Sequence, residues 1–192
     1  MHAQFIISAA SPGQFPAEGE GLPEIAFLGR SNVGKSSLLN VLVDQQGLAF
    51  ESARPGCTQT INFYRVDGAF YLVDLPGYGF ARVPLDRKAE WKRLVENYLL
   101  SRQNLKLSVM VLDARRGWME ADLELRRWLQ FHRRPYIVVA TKTDKLKTQQ
   151  ERHRGLTALR AESPEGDPLL FSAVTGRGVR EIWQAISKTQ TV

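Results

Sequence analysis

One stretch of the chain places two glycines, a lysine and a serine at a spacing that suits the binding of phosphate. The pattern G-x-x-x-x-G-K-[ST] is formed by Gly29, Arg30, Ser31, Asn32, Val33, Gly34, Lys35 and Ser36. The glycines allow a tight backbone turn, so that successive N–H groups point at phosphate oxygens. In such a loop Lys35 reaches the β- and γ-phosphates of a nucleotide, and the Ser36 hydroxyl binds Mg²⁺. These residues predict a site for a nucleoside triphosphate and magnesium.

Two shorter patterns carry groups that would complete a triphosphate site. The sequence Asp74-Leu75-Pro76-Gly77 ends an apolar stretch. There Asp74 can hold Mg²⁺ through water, and Gly77 can offer its N–H to the γ-phosphate. Thr58 lies on a loop where a threonine can close over Mg²⁺ when triphosphate is bound. Each pattern is common in ordinary turns, so it indicates a triphosphate site only because it follows the 29–36 motif in a fixed order along the chain.

Later residues carry groups that could distinguish one nucleobase from another. Thr141-Lys142-Thr143-Asp144 follows a further apolar stretch. The Asp144 carboxylate could accept hydrogen bonds from the N1–H and the exocyclic amine of guanine, a donor pair that adenine lacks. The stem of Lys142 can lie along the plane of the base, and a backbone N–H at Ser172-Ala173 could contact the guanine oxygen. These residues favour GTP over ATP.

The elements that must position these groups alternate between strands and helices. Apolar, β-branched and aromatic residues predict strands at 24–29, 61–66, 69–75, 105–113, 135–141 and 168–173. Helical spacing of apolar residues predicts helices at 35–45, 86–102, 120–134, 149–162 and 178–188. Asp67-Gly68 predicts a hairpin between the second and third strands. We therefore expect a three-layer α/β fold: a mostly parallel sheet with one antiparallel strand pair, helices on both faces, and ligands at the carboxyl ends of the strands.

Length and composition fit a single soluble domain. The 192 residues are 43% hydrophobic and 24% charged, which excludes a disordered or collagen-like chain. Cys57 is the only cysteine, so an internal disulfide is excluded and a reducing compartment is favoured. No apolar run approaches the roughly 20 residues of a membrane span, and the N-terminus makes a poor signal peptide. We expect a cytoplasmic protein.

The net charge of +6 is unevenly distributed along the chain. Residues 81–160 carry nineteen Lys and Arg against nine Asp and Glu, whereas residues 1–80 carry four against seven. The basic residues of interest on the two predicted helices of this block are Arg87, Lys88, Lys92 and Arg93, then Arg126, Arg127, Arg133 and Arg134. They form either solvated helix faces or a surface that binds RNA phosphates.

Taken together, the motifs resemble those of the EngB type of bacterial GTPase, which is implicated in assembly of the large ribosomal subunit. The resembling stretches are 23–40, 55–64, 74–84, 141–145 and 171–178, and the sequence DLPGYGFARVP among them is long and specific. The resemblance implies a P-loop GTPase fold over residues 23–192, with residues 1–22 as a segment and loop packed on that domain.

The resemblance also implies which residues bind the nucleotide. Contacts to GTP, Mg²⁺ and guanine would fall on 29–36, on Gly56, Cys57, Thr58, Gln59 and Thr60, on 74–77, on 141–144, and on Phe171, Ser172 and Ala173. Ser36 and Thr58 would hold Mg²⁺. Cys57 departs from the basic residue usual in the family, so a phosphate contact from this side chain is not expected.

The expected catalytic groups are Lys35, Asn32 and Gly77. Lys35 and Mg²⁺ supply positive charge, and the Gly77 N–H meets the γ-phosphate. Asn32 resembles the phosphate-loop asparagine that binds a potassium ion in related GTPases. Many GTPases orient the attacking water with a glutamine after the D-x-x-G glycine, where this chain has Tyr78. We therefore expect slow intrinsic turnover that a partner or a potassium ion accelerates.

Three functions are compatible with these residues. The first is a monomeric, GTP-operated factor that meets the large-subunit precursor and its rRNA through a basic surface in 81–160, and on which normal cell division and septation depend. In it, GTP would order the loops 46–60 and 77–86. The second is a GTPase that regulates cell division without a direct ribosomal role. The third, a small-molecule kinase, would need an acceptor pocket and an arginine-rich lid, whereas this chain has D-x-x-G and T-K-x-D.

Overall fold

Strands and helices alternate along most of the chain in a computed structural model that describes residues 1–49, 60–78, 85–163 and 166–190. The strands are β1 (Ala3–Ala9), β2 (Glu24–Gly29), β3 (Ile61–Val66), β4 (Phe70–Asp74), β5 (Leu105–Asp113), β6 (Tyr136–Thr141) and β7 (Leu169–Leu170). The helices are α1 (Lys35–Leu42), α2 (Leu85–Ser101), α3 (Glu120–Phe131), α4 (Gln149–Ala161) and α5 (Val179–Gln190). None of these helices is both long and apolar enough to cross a membrane.

The strands form one sheet in the order β1-β3-β4-β2-β5-β6-β7. The pairings from β4 through β2, β5 and β6 to β7 are parallel, and β3–β4 is antiparallel. The predicted fold class is confirmed. Asp67 and Gly68 adopt φ angles of 48° and 67°, the left-handed conformation that a two-residue hairpin turn requires.

The strand β1 was not predicted from the sequence. It pairs antiparallel with β3 at the edge of the sheet, and the register shifts between Phe5 and Ile7. Because this irregularity interrupts the alternation of inward and outward side chains, Phe5 and Ile6 are both exposed. The pattern that identifies a half-buried strand is therefore missing. Residues 3–9 are part of the sheet itself, while a domain boundary at residue 22 stays a prediction.

Helices cover both faces of the sheet, as predicted. On one face, side chains of α2, α3 and α4 pack on the strands, among them Tyr98, Leu129 and Leu159. On the other face α1 and α5 do the same, with Leu38 and Ile182 fully buried. The central strands β2 and β5 are buried on both sides, which explains their near-continuous apolar sequences.

A buried ion pair closes the amino ends of the parallel strands. Glu24, the first residue of β2, pairs with Arg102, just after α2. The Tyr98 hydroxyl donates to Glu24 Oε2 at 2.8 Å, and Arg102 Nη1 donates to the Pro16 carbonyl at 3.0 Å. The guanidinium also lies 5.8 Å from the centre of the Phe15 ring. This network fixes the N-terminal loop to the sheet, at the end opposite the sequence motifs.

Candidate nucleotide site

The predicted phosphate loop joins the carboxyl end of β2 to the first turn of α1. Gly29 is the last residue of β2 and Lys35 the first of α1. Between them Gly34 has a φ of 97° and Asn32 a φ of 62°. Gly tolerates this left-handed backbone at no steric cost, and Asn is among the residues that adopt it best. The loop therefore brings its N–H groups to the start of a helix, where the helix dipole also favours an anion.

Lys35 is paired with the carboxylate that ends β4. Its Nζ donates to Asp74 Oδ1, and both side chains are almost completely buried. The N–H of the next residue, Leu75, donates to the Phe27 carbonyl at 3.1 Å, which ties this end of β4 to β2. The lysine predicted to bind phosphate and the aspartate predicted to hold magnesium are thus adjacent.

Backbone contacts join the Asp74–Gly77 motif directly to the phosphate loop. A Cβ on Gly77 would lie 2.9 Å from the Ser31 nitrogen, so only glycine fits there. The Tyr78 N–H donates to the Gly29 carbonyl at 3.2 Å, and the Ser31 N–H donates to the Tyr78 carbonyl at 3.1 Å. The Gly77–Tyr78 segment therefore runs alongside the phosphate loop like an added strand. Pro76, before it, is half-buried.

A buried aspartate on α3, which the sequence analysis missed, links this segment to the loop. Asp122 is fully buried. Its carboxylate accepts from Tyr78 Oη at 2.8 Å and from Arg30 Nε at 3.0 and 3.1 Å. It also accepts from the Met119 N–H at 2.9 Å at the start of the helix. The only available signal was an acidic residue in the first turn of a helix, which is typical of capping.

The base-recognition motif is anchored to the phosphate loop from the end of β6. Thr141 Oγ1 donates to the Val33 carbonyl. Lys142 has a φ of 59°, and its Nζ donates to the Asn32 carbonyl and to Asp113 Oδ2, the latter at 3.0 Å. The Val33 side chain is buried in the core. The stem of Lys142 thereby lies across the mouth of the loop, where a base could pack on it.

Asp113, at the end of β5, is a second residue that the sequence analysis missed. Burial alone would raise the pKa of its carboxyl, but hydrogen bonds from Arg115 and Lys142 outweigh burial and bring the pKa well below its usual range. The carboxylate stays charged and holds Lys142 in place. A signal was present, because Asp113 ends a buried strand just as Asp74 does.

The last two predicted segments meet beside Asp144. Ser172 Oγ donates to Asp144 Oδ1 at 2.7 Å, and Thr143 Oγ1 donates to the Phe171 carbonyl at 3.0 Å. Asp144 and Ala173 are exposed, whereas Phe171, Ser172 and Thr143 are buried. Thr141–Asp144 and Phe171–Ala173 thus form one wall with an exposed, oriented carboxylate.

Of the predicted segment 56–60, only the last residue lies in the part of the chain that the structure describes. Gly56, Cys57, Thr58 and Gln59 lie outside the described residues. Thr60 is described, and its hydroxyl donates to Asn62 Oδ1 at 3.1 Å.

The donor groups at the site suit magnesium. Ser36 lies in the first turn of α1, next to the Lys35–Asp74 pair. A hydroxyl and a carboxylate are hard oxygen ligands, which Mg²⁺ prefers together with phosphate oxygens and water. In the described parts of the chain, no three His, Cys, Asp or Glu side chains cluster to hold a metal by themselves. Ser36 and Asp74 are the described residues that would hold a magnesium ion, together with phosphate oxygens and water.

Comparison with known proteins identifies the family. A family model described as 50S ribosome-binding GTPase matches residues 24–142, more than half of the chain. A relative named "Probable GTP-binding protein EngB" from Solibacter usitatus is 62% identical over 189 residues, covering 98% of this chain and 96% of the relative. The chain belongs to the EngB family of GTPases.

Two further EngB proteins and one more distant GTPase are also similar to this chain. A relative of the same name from Symbiobacterium thermophilum is 43% identical, over 97% of this chain and 94% of its own length. A crystal structure of a GTP-binding protein of the EngB type is 26% identical, with a TM-score of 0.67 over 86% of this chain and 97% of that one. Era from Aquifex aeolicus, at 23% identity and a TM-score of 0.65 over 88% of this chain, shares the fold.

Proposed function

We propose that this EngB-family chain binds GTP at the carboxyl edge of its sheet and hydrolyses it as a molecular switch. One observation carries the proposal: four motifs that are far apart in sequence meet at one edge, with Lys35 beside Asp74 and Asp144 beside Ser172. Bound magnesium, held by Ser36 and Thr58 with Asp74 near it, would neutralise phosphate charge. Residues 29–36, 56–60, 74–77, 141–144 and 171–173 form the proposed nucleotide site of a domain that spans 23–192.

Intrinsic turnover is proposed to be slow. The Tyr78 hydroxyl donates to Asp122, and a phenol cannot orient water as a glutamine amide does. Asn32 is exposed at the mouth of the phosphate loop, where it could help bind a potassium ion beside the phosphates. Turnover measured in potassium and in sodium chloride tests this, and equal rates in the two salts would refute the potassium site.

The proposed partner is the precursor of the large ribosomal subunit, bound through rRNA. The side chains of Arg87 and Lys88 lie outside the described residues, while Lys92 and Arg93 are exposed. Arg127 on α3 and Arg133, two residues after the end of that helix, are exposed as well. Among the described residues, Arg127 pairs only with the equally exposed Glu120, at 3.2 Å. These side chains are available to RNA phosphates, so binding should weaken steeply as salt rises.

Two arginines of the predicted surface also have internal roles. The Arg126 guanidinium bonds to the Glu162 carbonyl and lies 5.1 Å from the centre of the Trp118 ring. Arg134 donates to the Leu100 carbonyl at the end of α2. Replacing either would disturb packing as well as charge. Arg127 and Arg133 are therefore the better probes of RNA contact.

An exposed aromatic ring lies among these charges. Phe131, the last residue of α3, is 82% exposed, and its ring is 5.0 Å from that of His132. Aromatic rings beside arginines suit unpaired RNA, because bases stack on the rings while the charges bind the backbone. This supports single-stranded or looped rRNA as the element contacted.

Co-sedimentation with large-subunit precursors tests the partner. We expect binding with a non-hydrolysable GTP analogue and weaker binding with GDP. The double variant R127E/R133E should lose most of it. The matched control is R180E, because Arg180 is an exposed arginine on α5, where we propose no RNA contact. Unchanged binding by R127E/R133E, or an equal loss in R180E, would refute this surface.

The alternatives make different predictions in the same experiments. A cell-division regulator without a direct ribosomal role would not co-sediment with precursors in either nucleotide state. A small-molecule kinase would transfer phosphate to an acceptor rather than release it. We favour the ribosomal factor, acting as a monomer in the cytoplasm, with effects on septation and cell division that follow from its role in ribosome assembly.

A further inference from the structure

Asp122 connects three parts of the molecule that are distant in sequence. Its carboxylate accepts hydrogen bonds from Tyr78, just after the Asp74–Gly77 motif, and from Arg30 in the phosphate loop. The same carboxylate accepts from the Met119 N–H and so caps helix α3. Tyr78 follows Gly77 directly and is paired through its backbone with Gly29 and Ser31. The position of Gly77 is thus fixed from both sides: by β4 before it and by Tyr78 after it.

The Tyr78 phenol stays protonated, so its hydrogen bond to Asp122 is kept at physiological pH. Burial, and then the charge and hydrogen bond of Asp122, raise the pKa of the Tyr78 phenol well above its ordinary value. The phenol therefore remains a hydrogen-bond donor at all physiological pH values. Asp122 is the carboxylate that pairs with Arg30, 3.0 Å from its Nε. Arg30 Nη2 is buried with no hydrogen-bond partner among the described residues.

We propose that Asp122 is a positioning residue that sets the preference of the site for GTP over GDP, by holding Tyr78 and thereby the Gly77 N–H against the phosphate loop. The inference rests on the proposed function, in which Gly77 meets the γ-phosphate. GDP has no γ-phosphate. A loosened Gly77 therefore weakens the binding of a triphosphate and leaves the binding of a diphosphate unchanged.

The opposite end of the sheet supplies a matched control. Tyr98 Oη donates to a buried carboxylate, Glu24, at 2.8 Å, the same distance as Tyr78 Oη to Asp122. Replacing either tyrosine with phenylalanine removes one hydroxyl that bonds to a buried carboxylate, and nothing else. Only one of the two pairs touches the phosphate loop.

The test measures the affinities of the full-length Y78F, D122N and Y98F variants for GDP and for a non-hydrolysable GTP analogue. We expect Y78F and D122N to lower the ratio of analogue to GDP affinity by about tenfold, whereas Y98F changes it less than twofold. The Y78F/D122N double variant should be no worse in this ratio than D122N, because both act through one contact. Thermal unfolding shows which variants remain folded. If D122N does not fold, the affinity ratio of Y78F alone tests the proposal.

The outcomes separate this inference from the proposed function. A wild-type chain that binds no guanine nucleotide would overturn both. A wild-type chain that binds both nucleotides, with an unchanged affinity ratio in Y78F, would overturn the inference alone. So would an equal loss of affinity for both nucleotides, because a merely structural role weakens them together.

Discussion

The Glu24–Arg102 pair lies at the amino ends of the parallel strands, and the Lys35–Asp74 pair lies at their carboxyl ends. Burial does not separate them: side-chain exposure is 0% and 7% in the first pair and 9% and 10% in the second. Both join a strand-terminal carboxylate to a basic residue. The difference lies in their surroundings.

At the amino end, the polar groups of the cluster have protein partners. Glu24 also receives Tyr98, and Arg102 also reaches the Pro16 carbonyl. At the carboxyl end, Arg30 Nη2 and Ser31 Oγ are buried without a hydrogen-bond partner among the described residues, and Asn32, Gly34 and Lys142 have positive φ. Unsatisfied groups and sparsely populated backbone conformations gather where a ligand is to be bound. The Glu24–Arg102 cluster is completed by protein groups, whereas the phosphate loop beside the Lys35–Asp74 pair keeps polar groups that a ligand could satisfy.

The largest effect is expected at the amino end, in stability. Replacing Arg102 by Met leaves the Glu24 carboxylate buried without its cation, which should lower the free energy of unfolding by about 3–5 kcal/mol. Urea unfolding measures the loss. The folded fraction should bind guanine nucleotides as the wild type does, and a selective loss of nucleotide affinity would erase the contrast between the two ends.

At the carboxyl end the main effect should be on activity. Replacing Lys35 by Met removes the charge that is proposed to face the phosphates, and we expect GTP turnover to fall about 10²–10³-fold. Steady-state phosphate release measures it. Lys188→Met, at an exposed lysine of α5 outside the proposed RNA surface, serves as the control and should retain turnover. Full turnover in the Lys35 variant would show that the Lys35–Asp74 pair is structural, like its counterpart at the amino end.

Exchanging one carboxylate oxygen of Asp144 for an amide nitrogen should weaken the recognition of guanine. Asp144→Asn replaces an acceptor for the guanine amine with a donor, so GTP affinity should fall about 10–100-fold. Xanthine carries an oxygen in place of that amine, so xanthosine triphosphate should bind the variant better than GTP does. Equilibrium titrations with the two nucleotides decide the point; unaltered preference for GTP would remove Asp144 from the site.

The smallest effect is expected at the amino end, where Tyr98 should make the free energy of unfolding decrease at alkaline pH. Burial, followed by the charge of Glu24, raises the pKa of Tyr98 well above its ordinary value. The folded chain keeps this proton while an unfolded tyrosine loses it near pH 10. Stability is thus fully present below about pH 10 and falls above it by about 1.4 kcal/mol per pH unit. The free energy of unfolding of Y98F should fall less steeply with pH than that of the wild type, by a difference that approaches one proton only above about pH 10. Urea unfolding from about pH 9 to 11 measures it, and an identical pH dependence would contradict the prediction.

The sequence alone determined the motifs and most of the elements. Residues 29–36 and 74–77 are local patterns whose chemistry follows from residue type and spacing. The strands of the centre have near-continuous apolar sequences because helices cover both faces. For these features neighbours in sequence are also neighbours in space, so periodicity and spacing were sufficient.

The tertiary structure decided which distant residues meet. Asp122 is 92 residues from Arg30 and 44 from Tyr78, and Asp113 is 29 from Lys142. Periodicity reports which side chains are buried, but it carries no information about which element crosses next to which. The irregular edge strand β1 was missed because its side chains lack the alternation that burial imposes. The sequence by itself determined the chemistry of the carboxyl edge, and the parallel crossover topology decided which groups hold that chemistry in position.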